Sequence, residues 1–170
     1  YLNSDDLLTD NALIEIKNKF DKNQYDQWII GLCENIGEKL IINKFVNFYK
    51  RHLLKILNFD LLSINNIISQ PSVYWRKSFF DDAGNFDETL KYNMDYDMWL
   101  RMIKISKPLK IKNKISYFRR HNQSLSHKNL TNQFKEKYQT MKKYNKNPFI
   151  SLIHLLLSFM IVLTYKITNY

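Results

Sequence analysis

The chain contains little cysteine, glycine or proline. Its single cysteine, Cys33, excludes a disulfide within the 170 residues. Three glycines and three prolines are too few for a fibrous or a low-complexity disordered protein. With 45% hydrophobic and 15% aromatic residues, the chain can bury one sizeable core. The composition therefore predicts one folded domain followed by a tail.

The first residues lack an initiator methionine, a basic segment and an apolar signal sequence. The chain opens instead on the polar and acidic stretch Tyr1-Leu2-Asn3-Ser4-Asp5-Asp6. We therefore expect a fragment of a longer protein, located on the cytosolic side of a membrane.

Positive charge is concentrated near the C-terminus. The net charge is +10, and residues 128–146 contain six lysines against one acid, Glu136. Pro148 and a 17-residue segment without formal charge, residues 149–165, follow directly. A basic patch beside an apolar segment is typical of proteins at an anionic membrane surface. A nucleic-acid-binding protein would spread its basic residues over the folded body, so we expect no nucleic-acid partner.

The apolar tail allows three arrangements. Its length is at the lower limit of about 17–25 residues for a spanning helix. Its polar residues Ser151, His154 and Ser158 share one helical face, which suits a helix lying in the membrane interface or packed on a neighbour. A tail helix packed on the core of a soluble protein is the third arrangement. We predict a basic juxtamembrane helix over residues 128–147 and a membrane-associated apolar helix over residues 148–170, at the cytoplasmic face.

Hydrophobic periodicity predicts a mixture of helices and strands. Strands are expected over residues 28–30, 40–42, 73–75 and 109–119, the first two forming a hairpin. Helices are expected from Asp10 onward and over residues 48–57, 76–83, 95–105 and 129–144. Gly84 is expected to end the helix over residues 76–83.

Three polar groups are candidates for chemistry: the Asp5-Asp6 turn, the Asp95-Tyr96-Asp97 segment, and the Tyr117-Phe118-Arg119-Arg120-His121 segment. Each alone has an ordinary explanation, namely a helix cap, helix N-terminal acids that complement the dipole, and a surface histidine. Their positions after a strand, at a helix start and at a strand end are where side chains converge at the rim of an α/β sheet.

The acidic turn, Tyr-Leu-Asn-Ser-Asp-Asp, resembles the metal-binding DXD turn of family 2 glycosyltransferases. Four later segments resemble further blocks of that family in its order, and together the blocks cover most of residues 1–127: residues 69–76 (SQPSVYWR), 83–88 (AGNFDE), 94–101 (MDYDMWLR) and 117–121 (YFRRH). The resemblance implies an α/β fold, in which residues 1–127 form the acceptor-side part of a GT-A, Rossmann-like mixed sheet with flanking helices. The nucleotide-binding half of that family would precede Tyr1.

The resemblance also implies an activity. It implies inverting transfer of a sugar from a nucleotide-diphosphate donor to a saccharide or lipid-linked acceptor, in cell-surface polysaccharide synthesis. Matching the motifs residue by residue gives Asp95 as the catalytic base, Asp5 and His121 as ligands of Mn²⁺ or Mg²⁺, and Asp6, Arg119 and Arg120 as donor-binding residues. Gln70, Trp75 and Arg76 are the acceptor candidates, and Trp75 has a place in the core as its alternative. Asn3 departs from the family, which often has an acid there.

Elementary chemistry agrees with these residue types. Negative charge grows on the leaving diphosphate, and a divalent cation stabilises it. Inversion requires a base that accepts the proton of the acceptor hydroxyl. Arginine offers forked donors to a diphosphate, although strand alternation lets only one of Arg119 and Arg120 reach it. We therefore expect Asp5, Asp95 and His121 to converge on one cleft.

A catalytically inactive sugar-binding or membrane-tethering module, derived from such an enzyme, is the alternative. Asn3 and the missing nucleotide-binding half favour the inactive module. Retention of Asp5, Asp95 and His121 together favours the enzyme, because a binding module needs no metal-plus-base set.

Overall fold

The computed structural model of the protein describes residues 1–37, 40–120 and 129–167. These residues fall into two units, each assembled from separate stretches of chain. The first unit comprises Tyr1–Leu57, Ile67–Gly84 and Ser106–His121, and the second comprises Asn58–Asn66, Asn85–Ile105 and Asn122–Tyr170. The division differs from the predicted regions 1–127, 128–147 and 148–170, whose functional roles stay predictions.

A four-stranded mixed sheet forms the centre of the first unit, in the order β1-β4-β2-β3. The strands are β1 (Leu7–Leu8), β2 (Trp28–Gly37), β3 (Val73–Trp75) and β4 (Leu109–Arg120). β2 and β4 are parallel, whereas β1 and β3 are antiparallel to their neighbours. The predicted mixed α/β sheet with flanking helices is confirmed.

The described helices are α1 (Ala12–Lys22), α2 (Leu40–Lys55), α3 (Phe59–Ile64), α4 (Lys77–Ala83), α5 (Met94–Ile105), α6 (Leu130–Tyr144) and α7 (Pro148–Ile167), with a short 3₁₀ helix at Gln70–Ser72. The predictions for residues 95–105 and 129–144 agree with α5 and α6 to within one residue. Gly84 has a φ of 81° and follows α4, as its freedom in that backbone region predicts.

The core of the first unit lies between α1 and the sheet. Ala12 and Ile16 of α1 are buried against Ile29, Ile111 and Ile115. Their spacing of four residues places both on one face of α1, as expected for an amphipathic helix. This packing holds α1, which follows the acidic turn in the chain, against the sheet.

The predicted hairpin of residues 28–30 and 40–42 is wrong. β2 continues to Gly37 because its second half pairs in parallel with β4, up to Gly37↔Arg120. Residues 40–42 begin the sixteen-residue helix α2. A three-residue apolar run has a weak preference of its own, and tertiary context decides its conformation.

The second unit is helical, built from α3, α5, α6 and α7. Its largest fully buried side chains include Tyr96, Trp99 and Leu62. The Tyr96 hydroxyl donates to the carbonyl oxygens of Leu62 at 3.0 Å and Ser63 at 3.1 Å. Burial raises the pKa of Tyr96 far above its ordinary value, so its hydroxyl stays a donor. Trp99 therefore belongs to the core of this unit.

The last helix, α7, has an unusual polarity. Ser151, His154 and Ser158 are buried, whereas the large apolar residues around them are exposed: Phe149, Leu152, Ile153, Leu155, Leu156, Phe159, Met160 and Leu163. His154 Nδ1 donates to the carbonyl oxygen of Ser63 at 2.8 Å, and burial lowers the pKa of His154 to about 4. The buried face of α7 therefore includes three polar side chains. Within the described residues, the structure has no helix whose length and apolar content suffice for a membrane span.

Candidate active site

The acidic turn is attached to the end of β4 through Asp6. This side chain is 4% exposed, and its Oδ1 accepts a hydrogen bond from the backbone N–H of Arg119 at 3.2 Å. Its Oδ2 accepts from the amide of Asn3 at 3.5 Å. Burial raises the pKa of Asp6, the Arg119 N–H opposes this rise, and the charge of Asp5 adds to it. Asp6 thus holds the turn in place.

Asp5 lies beside Asp6 in the same turn and is half-buried. Its carboxylate is an oxygen donor of the kind that Mg²⁺ and Mn²⁺ prefer. No cluster of three histidine, cysteine or acidic side chains occurs among residues 1–37, 40–120 and 129–167. The second predicted ligand, His121, lies outside the described residues. The metal site around Asp5 therefore stays a prediction.

The two arginines of the predicted donor site follow one another at the end of β4. Arg119 is exposed, and its backbone contributes the N–H that Asp6 accepts. Arg120 is the next and last residue of the strand. That only one of the two arginines reaches the diphosphate stays a prediction.

Gln70 is joined to the segment that precedes the acidic turn. Its Nε2 donates to the carbonyl oxygen of Tyr1 at 2.7 Å. Its Oε1 is buried and has no hydrogen-bond partner among the residues described. A buried amide oxygen without a partner is costly, so a ligand or water that donates to it would be favoured. The role of Gln70 as an acceptor-binding residue stays a prediction.

Trp75 and Arg76 lie at the other end of the sheet. Trp75 pairs with Trp28 in β2, whereas Glu34 of β2 is level with Tyr117, the partner of Leu7. Trp28 and Glu34 are six positions apart, which corresponds to about 20 Å of strand. The structure thus brings Gln70, but not Trp75, to the end of the sheet that carries Asp6.

The side chains of Trp75 and Arg76 make contacts within the first unit. The Trp75 ring stacks on Phe80 with centroids 5.8 Å apart. Arg76 donates to the carbonyl oxygens of Asp26 and Phe20, each at 3.0 Å. These bonds fasten the end of α1 to the start of β2, and the acceptor role of Trp75 and Arg76 stays a prediction.

Asp95 lies in the first turn of α5, in the second unit. It is half-buried, and its Oδ1 accepts the backbone N–H of Tyr96 at 2.7 Å. Asp97 is buried and accepts from Arg101 at 2.9 Å and from the Tyr144 hydroxyl at 2.7 Å. Asp97 is therefore an anchor of α5. The predicted convergence of Asp5, Asp95 and His121 stays a prediction.

A second anchor in the same unit escaped the sequence analysis. Glu136 of α6 accepts the backbone N–H groups of Lys91, Tyr92 and Asn93 at 3.0, 2.8 and 2.8 Å. These three residues precede α5 and lead directly to Asp95. One carboxylate thus holds the segment that positions the predicted base. In the sequence, the only indication of this role is that Glu136 is the single acid in a lysine-rich segment.

We expect Glu136→Ala to lower the free energy of unfolding by about 2–4 kcal/mol, because it leaves three backbone donors without their charged acceptor. The midpoint of urea denaturation measures the change. Glu88→Ala, which removes an exposed acid from the same unit, is the matched control and should change stability little. Equal midpoints for the two variants would contradict the anchoring role.

Comparison with known proteins gives one informative similarity. No model of a known protein family matches the chain. The chain is 30% identical over 112 residues to a protein of Rickettsia typhi described as an uncharacterized glycosyltransferase. The match covers 62% of this chain and 34% of that protein, so the chain spans about a third of its relative's length. The similarity supports a glycosyltransferase relationship for this chain.

Proposed function

We propose that the protein is a metal-dependent, inverting glycosyltransferase of family 2 that uses a nucleotide-diphosphate sugar. The observation that carries the proposal is the acidic turn, held by Asp6 at the end of β4 next to Arg119. An anchored carboxylate beside a cationic side chain suits a diphosphate and its cation. The similarity to a glycosyltransferase supports the same reaction class.

In the proposed reaction, the acceptor hydroxyl attacks the anomeric carbon and forms a new C–O bond. The bond from that carbon to the diphosphate oxygen breaks, and the nucleoside diphosphate leaves with the electron pair. Asp95 accepts the hydroxyl proton. Asp5 would hold Mn²⁺ or Mg²⁺, which stabilises charge on the leaving diphosphate when bound. Arg119 or Arg120 would bind the same diphosphate, and Gln70 the acceptor.

The test is turnover of a panel of nucleotide-diphosphate sugars by the protein as the cell produces it. We expect release of nucleoside diphosphate from one or a few donors, dependent on Mn²⁺ or Mg²⁺, with inverted configuration in the product by NMR. A retained configuration would refute the inverting mechanism. Sugar binding without turnover of any donor would instead favour the inactive module.

We further propose that α7 attaches the protein to the cytoplasmic face of a membrane, where a lipid-linked acceptor for cell-surface polysaccharide would be available. The support is the exposed apolar side of α7, whose Phe149, Phe159 and Met160 are 75%, 67% and 63% exposed. Apolar patches of this kind mark interaction sites. Lys135, Lys142 and Lys146 are exposed in the same unit, and each lysine near an anionic surface contributes roughly 1 kcal/mol.

Replacing Phe159 and Met160 by glutamate should strongly reduce sedimentation of the protein with vesicles that contain phosphatidylserine. Both residues are exposed, so the fold should tolerate the change, while burying the new charges in lipid is unfavourable. Leu13→Glu/Ile14→Glu on α1 removes two similarly exposed apolar residues and should leave binding unchanged. High salt should weaken binding in part, since the apolar contribution is not screened. Equal sedimentation of both double variants would refute the proposal.

A further inference from the structure

A cavity of about 320 Å³ lies in the first unit, and none of the predicted site residues is among the residues that line it. Its walls come from α2, from the second half of β2, from Ser69 and Ser72, and from Lys114 of β4. We name it the α2 pocket. Its volume is at the lower end of the range of about 300–1,000 Å³ typical of small-molecule sites.

The walls of the α2 pocket are strongly basic. The formally charged side chains are four cations, Lys44, Lys50, Arg51 and Lys114, against one carboxylate, Glu34. Lys114 donates to Glu34 at 2.6 Å, and this bond raises the pKa of Lys114, so its ammonium stays charged at neutral pH. The pocket therefore has a surplus of positive charge and suits an anion.

Polar contacts fix part of this wall. Lys50 donates through Nζ to Ser69 Oγ at 2.9 Å, which connects α2 to the segment that contains Gln70. Phe48 and His52 lie together with ring centroids 4.1 Å apart, and both line the pocket. An exposed aromatic face beside cations is suited to a sugar ring that carries a phosphate.

The α2 pocket lies towards the end of the sheet that carries the acidic turn. Glu34, in its wall, is level in the sheet with Tyr117, and Tyr117 pairs with Leu7, which directly follows Asp6. Ser69, also in its wall, precedes Gln70, the acceptor candidate whose amide bonds to Tyr1. A ligand in the pocket is thus on the acceptor side of the proposed reaction.

We infer that the α2 pocket binds the phosphate group of a sugar phosphate that serves as the acceptor. The acceptor role of this ligand rests on the proposed function, whereas binding of its phosphate group does not. Lys44, Lys50, Arg51 and Lys114 are the phosphate-binding residues, and Phe48 contacts the sugar. The phosphate can belong to a soluble sugar phosphate or to a lipid-linked one, because the pocket recognises the group they share.

The test is calorimetric titration of the protein with a hexose 1-phosphate and, separately, with the corresponding uncharged methyl hexoside. We expect the phosphate to bind and the methyl hexoside to bind at least about tenfold more weakly. Lys44→Gln/Arg51→Gln should weaken phosphate binding by about tenfold or more, and both residues are exposed, so folding should be preserved.

The matched control is Lys55→Gln/Lys112→Gln, which removes the same charge from exposed positions outside the pocket. It should stay within about twofold of the unchanged protein at constant salt. Equal losses in both double variants would reduce the effect to general electrostatics and overturn the inference. Equal binding of the two hexose compounds would also overturn it.

A second arm identifies the source of the phosphate. Sedimentation with phosphatidylcholine vesicles is compared with and without a hexosyl polyprenyl phosphate in them. Increased sedimentation that hexose 1-phosphate reverses supports a lipid-linked acceptor, and binding of the soluble compound alone supports a soluble one. Donor turnover is measured separately with water as acceptor, so loss of the proposed function and loss of the pocket's ligand give different results.

Discussion

Asp95→Asn should lower kcat for sugar transfer by about 10²–10⁴-fold, the usual contribution of a positioned general base. The amide preserves the shape of the side chain but cannot accept the acceptor's proton. Binding of the nucleotide in the presence of metal should change little, because Asp95 is assigned no contact with the donor. Initial rates of nucleoside diphosphate release and equilibrium nucleotide binding measure the two effects.

Glu88→Gln, an exposed acid of the same unit, provides the control for loss of one negative charge. It should leave both rate and binding near those of the unchanged protein. A variant at Asp95 that keeps most of its activity would show that another group is the base. Parallel loss of nucleotide binding would instead indicate a role in the donor site.

Asp5→Ala should weaken both nucleotide binding and transfer, with a loss of about 10²-fold or more in kcat/KM. A cation that stabilises the leaving diphosphate contributes several kcal/mol, and each 1.36 kcal/mol corresponds to a tenfold change in rate. The dependence of nucleotide binding on Mn²⁺ concentration is the decisive measurement. It should be steep in the unchanged protein and shallow in the variant.

Two comparisons separate this effect from damage to the fold. Asp10→Asn removes an exposed acid just beyond the turn and should keep the Mn²⁺ dependence. Asp6→Ala should lower stability, because it removes the buried oxygen that accepts the Arg119 N–H. An unchanged Mn²⁺ dependence in Asp5→Ala would remove Asp5 from the metal site.

Local patterns predicted the elements whose signals lie within one stretch of chain. The periodic apolar residues after Asp95 predicted α5, and Gly84 predicted the end of α4. The polar stripe of Ser151, His154 and Ser158 was also recognised. Sequence alone left open whether that stripe faces a neighbour, and the structure buries it.

Features that depend on distant partners could not be predicted in this way. The second half of β2 was placed between the two strands of the predicted hairpin, because its true partner, β4, lies about eighty residues further along the chain. Lys137 was counted in the basic patch of residues 128–146, yet it is buried and donates to Asn65. Glu136 looked isolated among lysines. Its partners are backbone N–H groups of residues 91–93, and a sequence does not show which backbone groups a side chain will contact.

The polarity of α7 has a thermodynamic consequence. Heat capacity rises when hydrocarbon is exposed to water and falls when polar groups are exposed. Detaching α7 would expose the polar groups of Ser151, His154 and Ser158, while most of its large apolar side chains are exposed already. Its detachment should therefore carry a smaller heat-capacity increment than that of a helix with an apolar inner face. Cooling, which weakens hydrophobic attachment, should leave α7 in place.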